Sequence, residues 1–203
     1  MSSPAWPEAR TAPTAPIPYL ATGHGGEGSL VDTILAVHAE ALGPDMRGYR
    51  NHIHRVLAFY QALSPDGEAP PAAVLIAAAF HDIGIWTDQT FDYLAPSAAR
   101  AQHYLQQHGL AAELGAQVHA LIVHHHKLRP FVDDAPWAAS VERWRRADLV
   151  DLSLGLIRSG LSRAQVSAIR ERFPDAGFHR RLAVLTLRQF CRTPWRPLPM
   201  LRW

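Results

Sequence analysis

Apolar residues recur along this chain at intervals of three and four. Leu30, Ile34, Val37 and Ala41 keep that spacing until Gly43-Pro44 interrupts it, and Ser29 stands where an N-cap belongs. The period resumes from about 49 to 63, with Ile53, Val56, Leu57 and Tyr60 on one face, and ends at the turn signal Ser64-Pro65-Asp66-Gly67. Pro70-Pro71 opens a third helix over 72–81, apolar on nearly all sides and so predicted to be central, with Gly84 closing it. Further helices are predicted at about 96–108, 111–126, 136–157, 162–173 and 177–191, with Ser162 and Asp175 as N-terminal signals for the last two. No stretch alternates with period two and no internal repeat is visible. The pattern predicts an all-α fold, a single helical bundle.

The ends differ from the middle. Residues 1–28 are rich in proline and glycine and read as an extended arm, with Trp6 and Tyr19 as its candidate anchors. Residues 192–203, with Pro194, Pro197 and Pro199, read as a short non-helical tail, which leaves 29–191 as the helical domain. At 203 residues, 48% of them hydrophobic and 19% charged, the chain is long enough to bury one core unaided. Its longest apolar run, Ala72–Phe80, has nine residues, too few to cross a bilayer. The lone Cys191 precludes an intrachain disulfide, and the cytoplasm is the expected location. A net charge of +2 selects no partner. Arg143, Arg145 and Arg146 interleave with Glu142 and Asp148 and read as a solvated helix face, so neither nucleic acid nor a membrane is expected as the partner. The arginine-rich helix and the Trp-Pro tail are candidate contacts for a homodimer.

The twelve histidines change the picture. His52, the pair His81-Asp82 and Asp148 fall on three different predicted helices. A bundle that aims one such side chain inward from each helix builds a site for a divalent metal. Asp82 follows the nine-residue apolar run, so burial continuing from that helix would leave its charge without a partner. His81 and Asp82 can both reach one ion if the helix is ending there.

These residues resemble the pattern of the HD-domain superfamily of metal-dependent phosphohydrolases. A helical histidine is followed three residues later by Arg-Val (His52, Arg55-Val56). A His-Asp pair closes an apolar helix (His81-Asp82), and Ala-Asp lies on a late helix (Ala147-Asp148). The resemblance covers about residues 30–160. It implies that His52, His81, Asp82 and Asp148 bind a divalent transition metal, one of Zn, Mn, Fe or Ni. His54 rivals His52, but His52 has the three-residue spacing to Arg55-Val56. The run His124-His125-His126 sits where the family places histidines facing the site. In dinuclear members these share a second metal with a histidine at the start of the preceding helix. Ser97 occupies that position here, and His103 lies about 240° further round the helix. One ion is therefore preferred, with two left open, and His124 or His125 is expected to contact substrate or orient water.

The resemblance implies hydrolysis of a small substrate, commonly a phosphate ester. Lys127 and Arg129 are candidates for its phosphate oxygens. Asp88 is a candidate proton relay beside Asp82, His124 and His125. Ile85 stands where small HD nucleotidases carry a Glu, so their activity is not implied. No Gly-Tyr-Pro follows His126, the signature of one class of cyclic-dinucleotide phosphodiesterase. Two non-phosphate branches stay open, a cyanamide-hydratase-like hydro-lyase and a di-iron oxygenase of inositol or phosphonates. Trp86, Phe91 and Tyr93 would suit a small enclosed pocket, or simply pack the core.

Overall fold

The structure, a computed structural model, describes residues 29–201. The predicted arm, with Trp6 and Tyr19, lies outside the described residues. Among the described residues the fold is all-α, without a strand. Helices α1 (Leu30–Val37) and α2 (Ala39–Leu42) lead through a single 3-10 turn into α3 (Met46–Ala62). There follow α4 (Ala72–Phe80), the one-turn α5 (Gly84–Thr87), α6 (Leu94–Gln107), α7 (Ala111–His124), α8 (Ala138–Leu152), α9 (Arg163–Arg172) and α10 (Phe178–Arg192). None of these helices is long and apolar enough to cross a membrane.

Helix α4 is central, as its all-round apolar sequence predicts, and packs against α1, α3, α6 and α7. Helix α3 exceeds its prediction. The sequence shows one apolar face, yet Tyr49 and nearly everything from Asn51 to Gln61 is buried, because α4, α8, α9 and α10 all pack on it. Its buried polar residues are tied across the fold. Asn51 Nδ2 donates to Pro174 O at 2.7 Å, and Arg55 Nη1 donates to Phe173 O at 3.0 Å.

Several boundaries differ from the sequence pattern, each for a local reason. The first helix breaks at His38, whose N–H bonds to Leu35 O, tightening the turn. The chain leaves α8 at Leu152 instead of 157. Leu154 and Gly155 adopt positive φ there, and Gly155 N–H returns to Val150 O at 2.9 Å. A Cβ on Gly155 would also lie 2.7 Å from Val166 Cγ1. Helix α7 stops at His124, two residues early, because the chain turns at His125 and His126. Gly84 does not close α4. That helix ends at Phe80, a turn carries His81 and Asp82, and Gly84 opens α5 beneath the start of α6. A Cβ there would come within 3.0 Å of Tyr93 O and 3.1 Å of Ser97 Oγ, so the close approach of α6 requires glycine.

The arginines of α8 are not a simple solvated face. Arg145 is buried, bonds both carboxylate oxygens of Glu142 at 2.7 Å, and donates to Lys127 O at 3.2 Å. It thereby ties α8 to the segment that follows His126. Arg143 lies over the Tyr60 ring, and Arg146 donates to Ser159 O.

Asp32 clips α1 to α3. It pairs with Arg50 Nε at 2.5 Å and Nη2 at 3.0 Å, and His54 Nε2 lies 3.4 Å away. Burial pushes its carboxyl up, but His54, Arg50 and Ser29 outweigh this and hold it below the usual carboxylate range. A depressed folded-state pKa contributes stability above the unfolded value of about 4, and that contribution is lost as pH falls below it. Asp32→Asn should therefore lower the urea midpoint at pH 7 and flatten its decline between about pH 5 and 3. An unchanged acid limb would remove this pair from the stability of the fold.

Candidate metal centre

Four segments bring six ionisable side chains to one buried point. His52 comes from α3, His81 and Asp82 from the turn after α4, His125 and His126 from the turn after α7, and Asp148 from α8. His52 Nε2 lies 3.0 Å from His81 Nε2, 3.6 Å from Asp148 Oδ1 and 3.8 Å from Asp82 Oδ2. His81 Nε2 is 3.4 Å from Asp82 Oδ2, and His125 Nε2 is 3.3 Å from Asp82 Oδ1. His126 Nδ1 is 3.3 Å from Asp148 Oδ2. Three overlapping trios have ligand atoms within 4.8 Å of one another: His52, His81 and Asp148; His81, Asp82 and His125; and His125, His126 and Asp148.

The outer nitrogen of each of three imidazoles defines what the inner one can do. His52 Nδ1 donates to Asp151 Oδ2 at 2.7 Å, His81 Nδ1 to Ala78 O at 2.8 Å and His125 Nδ1 to Ile122 O at 2.6 Å. Those partners are acceptors, so the neutral ring keeps its proton on Nδ1 and turns a bare Nε2 lone pair inward. Two such lone pairs face each other across the 3.0 Å between His52 and His81. Opposite them, Asp82 Oδ1 and both oxygens of Asp148 are buried and close no hydrogen bond, and neither does His125 Nε2. Buried acceptors pointing at one another are costly unless a cation lies among them. Imidazole nitrogens and carboxylate oxygens are the donor set of a borderline divalent metal, so the residues present fit such an ion.

The electrostatics agree with that reading. Burial drives His81 down to about 4, only partly offset by the Asp82 carboxylate, so at neutral pH it offers a lone pair. Burial pushes Asp82 up, but His81, His125 and His126 together hold it well below the ordinary carboxylate range. Asp148 is likewise depressed, the pull of His126 outweighing its burial. His125 runs the other way: the facing Asp82 and Asp148 outweigh burial and raise it, which favours a proton on its Nε2 toward Asp82.

The shell outside these residues is built with equal care. Asp151, one helical turn beyond Asp148, is completely buried. It accepts from His52 and, through both oxygens, from Arg55 Nε at 2.5 Å and Arg55 Nη2 at 2.8 Å. Phe178 stacks on His52 with centroids 4.1 Å apart, and Trp144 meets His81 edge-on at 5.4 Å. Tyr93 Oη shares a 2.7 Å hydrogen bond with His126 Nε2. Tyr49 Oη donates to Ala79 O at 3.1 Å, orienting the turn that carries His81 and Asp82.

Of the residues singled out in the sequence, His52, His81, Asp82 and Asp148 meet as expected, and His125 joins them. His54 does not, being stacked on Phe173 and directed at Asp32. In the histidine run the structure shifts the register by one. His125 and His126 face the cluster, whereas His124, the last helical residue, packs against Phe131, the rings tilted with centroids 4.8 Å apart. Asp88 is exposed and pairs with Arg100 Nε at 2.7 Å, outside the cluster, because α5 turns the chain outward before reaching it. Lys127 Nζ lies over the Phe131 ring, and Arg129 is exposed. Ser97 is fully buried, and its Oγ accepts from Gly84 N–H at 3.0 Å. Helix α6 thus adds no ligand to these trios, and His103 is exposed. Trp86 and Phe91 line a separate cavity, whereas Tyr93 reaches the cluster.

Sequence reasoning assigned Asp151 no role; it placed the run His124-His125-His126 facing the site and offered Tyr93 for a pocket there, but not the bond between Tyr93 and His126. Asp151 had a signal in its i, i+3 spacing from Asp148, which puts both on one helix face. The Tyr93 contact had none, since it joins residues 33 positions apart.

Fold and site together define an all-α protein with a buried His/Asp cluster that could hold a metal ion. Compared with protein-family models, with curated proteins and with solved structures, the chain matches none.

Removing Asp151 strands the Arg55 charge in the core. Asp151→Ala should destabilise the fold by about 3–5 kcal/mol, measured by urea unfolding in the presence of chelator. A loss below about 1 kcal/mol, typical of an exposed ion pair, would mean that the pair does not anchor the centre.

Proposed function

We propose that this chain is a metal-dependent hydrolase of the HD type, a phosphohydrolase acting on a small substrate. The observation that carries the reading is the convergence of His52, His81, Asp82 and Asp148, with Asp82 Oδ1 and both Asp148 oxygens left unsatisfied in the core. These four would hold the ion, which when bound supplies Lewis acidity and acidifies water near neutral pH. The chain's own residues do the rest. Asp151, held by Arg55, keeps His52 in the tautomer and orientation that ligation needs. His125 Nε2, 3.3 Å from Asp82 Oδ1, is the atom placed to take or give a proton at the site. Tyr93 and His126 position Asp148 from its other side. Phe178, Trp144 and Tyr49 enclose the cluster and exclude bulk water. Lys127 and Arg129 follow on the same segment as His125 and are the proposed partners of a phosphate group. Asp88 has no place in this scheme while it is paired with Arg100.

A second reading rests on the trio His125, His126 and Asp148, which supplies donors for another ion without any residue from α6. Two irons there would favour an oxygenase over a hydrolase. A cyanamide-hydratase-like addition of water uses the same four ligands and differs only in substrate.

Elemental analysis of untagged protein separates these readings. The hydrolase predicts about one Zn, Mn, Fe or Ni per chain, hydrolysis of a generic phosphate ester, and loss of that activity in chelator. His52→Ala and Asp82→Ala should each lower metal retention by about tenfold or more, with helical content kept, while His103→Ala retains the metal. Full retention in both ligand variants would overturn the site, and two irons with oxygen consumption would select the second reading.

Loss of the Tyr93 hydroxyl should act more gently. Tyr93→Phe frees His126 to reorient, and metal affinity should fall by about tenfold without loss of fold, as read by competition with a chromogenic chelator.

A further inference from the structure

A second cavity, of about 410 Å³, lies between α5, the loop that follows it and α10. That volume suits a small organic ligand. Trp86, Phe91 and Ile85 form its apolar wall, and α10 opposite them carries Arg181, Arg188 and Arg192, with Leu185 among the arginines. These arginines fall at i, i+7 and i+11 on α10, which at about 100° per residue places them within about 20° of one line along the helix. Their backbone positions span about 16 Å of that line at 1.5 Å per residue.

The charge on this stripe is not balanced. Arg181 Nε faces Asp45 Oδ2 at 3.0 Å, and Asp45 also accepts from Trp86 Nε1 at 2.9 Å. No carboxylate among the described residues pairs with Arg188 or Arg192, and none of the residues lining the cavity is acidic. Guanidinium groups aligned on one wall, facing aromatic and aliphatic surface on the other, form a site for an anion with a flat apolar body. The length of the stripe favours several anionic groups over a single phosphate.

We propose that this cavity binds a small organic polyanion, with its anionic chain along Arg188 and Arg192 and its ring against Trp86 and Phe91. The pocket is distinct from the metal centre but stands one aromatic layer from it. Trp86 packs on Tyr49 with centroids 4.7 Å apart, and Tyr49 lies over His81 at 5.9 Å and His52 at 6.4 Å. Occupancy would therefore press on the same tyrosine that orients the His81-Asp82 turn.

Calorimetric titration of the full chain in chelator tests the pocket without the metal. ATP is the probe, with tripolyphosphate and adenosine each titrated alone. Saturable ATP binding is expected with a Kd below about 1 mM, and tripolyphosphate should bind about tenfold more weakly. The double variant Arg188→Ala/Arg192→Ala should lose about tenfold or more in ATP affinity, with unchanged circular dichroism and thermal midpoint, since both residues are exposed. Absence of saturable ATP binding in this range, or equal affinity in the double variant, would overturn the site. Tripolyphosphate binding as tightly as ATP would overturn the role of the aromatic wall. Because metal is absent throughout, each result stands whether or not the hydrolase reading holds.

Discussion

The Asp151 carboxylate bridges Arg55 and His52 inside the core, and the rest of the molecule is arranged around that bridge. It joins α3 to α8, two helices that pack on each other and carry His52 and Asp148 into the candidate centre. Burial alone would favour a protonated acid. Arg55 and His52 reverse this and hold Asp151 ionised, well below its ordinary range. The charge pair is buried, so removing either member leaves the other in the core without its main counter-charge, with Arg170 near Asp151 at 3.7 Å and Asp175 near Arg55 at 3.9 Å as the remaining ones. In this geometry a structural ion pair and the outer support of a candidate metal ligand are the same object.

The centre built on that support is locally unfavourable by itself. Inward lone pairs on His52 and His81 face each other and carboxylate oxygens that also have only lone pairs to offer. Natural proteins carry such conflicts at functional sites and compensate elsewhere. Here the compensation is the apolar packing of α4, buried almost throughout, and the aromatic layer of Tyr49, Trp144 and Phe178. Tyr49 connects two regions of the protein, since it touches His52 and His81 of the candidate centre on one side and Trp86, in the wall of the arginine-lined cavity, on the other.

Much of the centre was legible because its signals are local. The apolar run 72–80 ending in His81-Asp82 places a charge where burial makes it costly, and His52 carries its spacing to Arg55-Val56 in the chain itself. What escaped notice depends on how segments end. The choice of His125 and His126 over His124 follows from α7 stopping at His124. Asp88 reads as a neighbour of Asp82, yet a single turn of helix carries it to the surface and to Arg100. Arg145 sits among alternating charges and reads as solvated, but Glu142 and the Lys127 carbonyl give a buried guanidinium all it needs.

The sequence by itself determined that the fold is helical and where most helices lie, and its resemblance to a known motif pattern singled out four residues that the structure brings together. The helices follow from periodicity and turn chemistry, which act within a few residues of chain, and the cost of burying the Asp82 charge marks one of the four. Only the tertiary structure decided which imidazole nitrogen faces inward, which acid supports which ligand, and that Tyr93 meets His126. It also decided that the arginines of α10 close one wall of a cavity whose other wall is Trp86 and Phe91. These depend on contacts between segments far apart in the chain, where packing density and the satisfaction of buried polar groups select one arrangement from many that the local pattern allows.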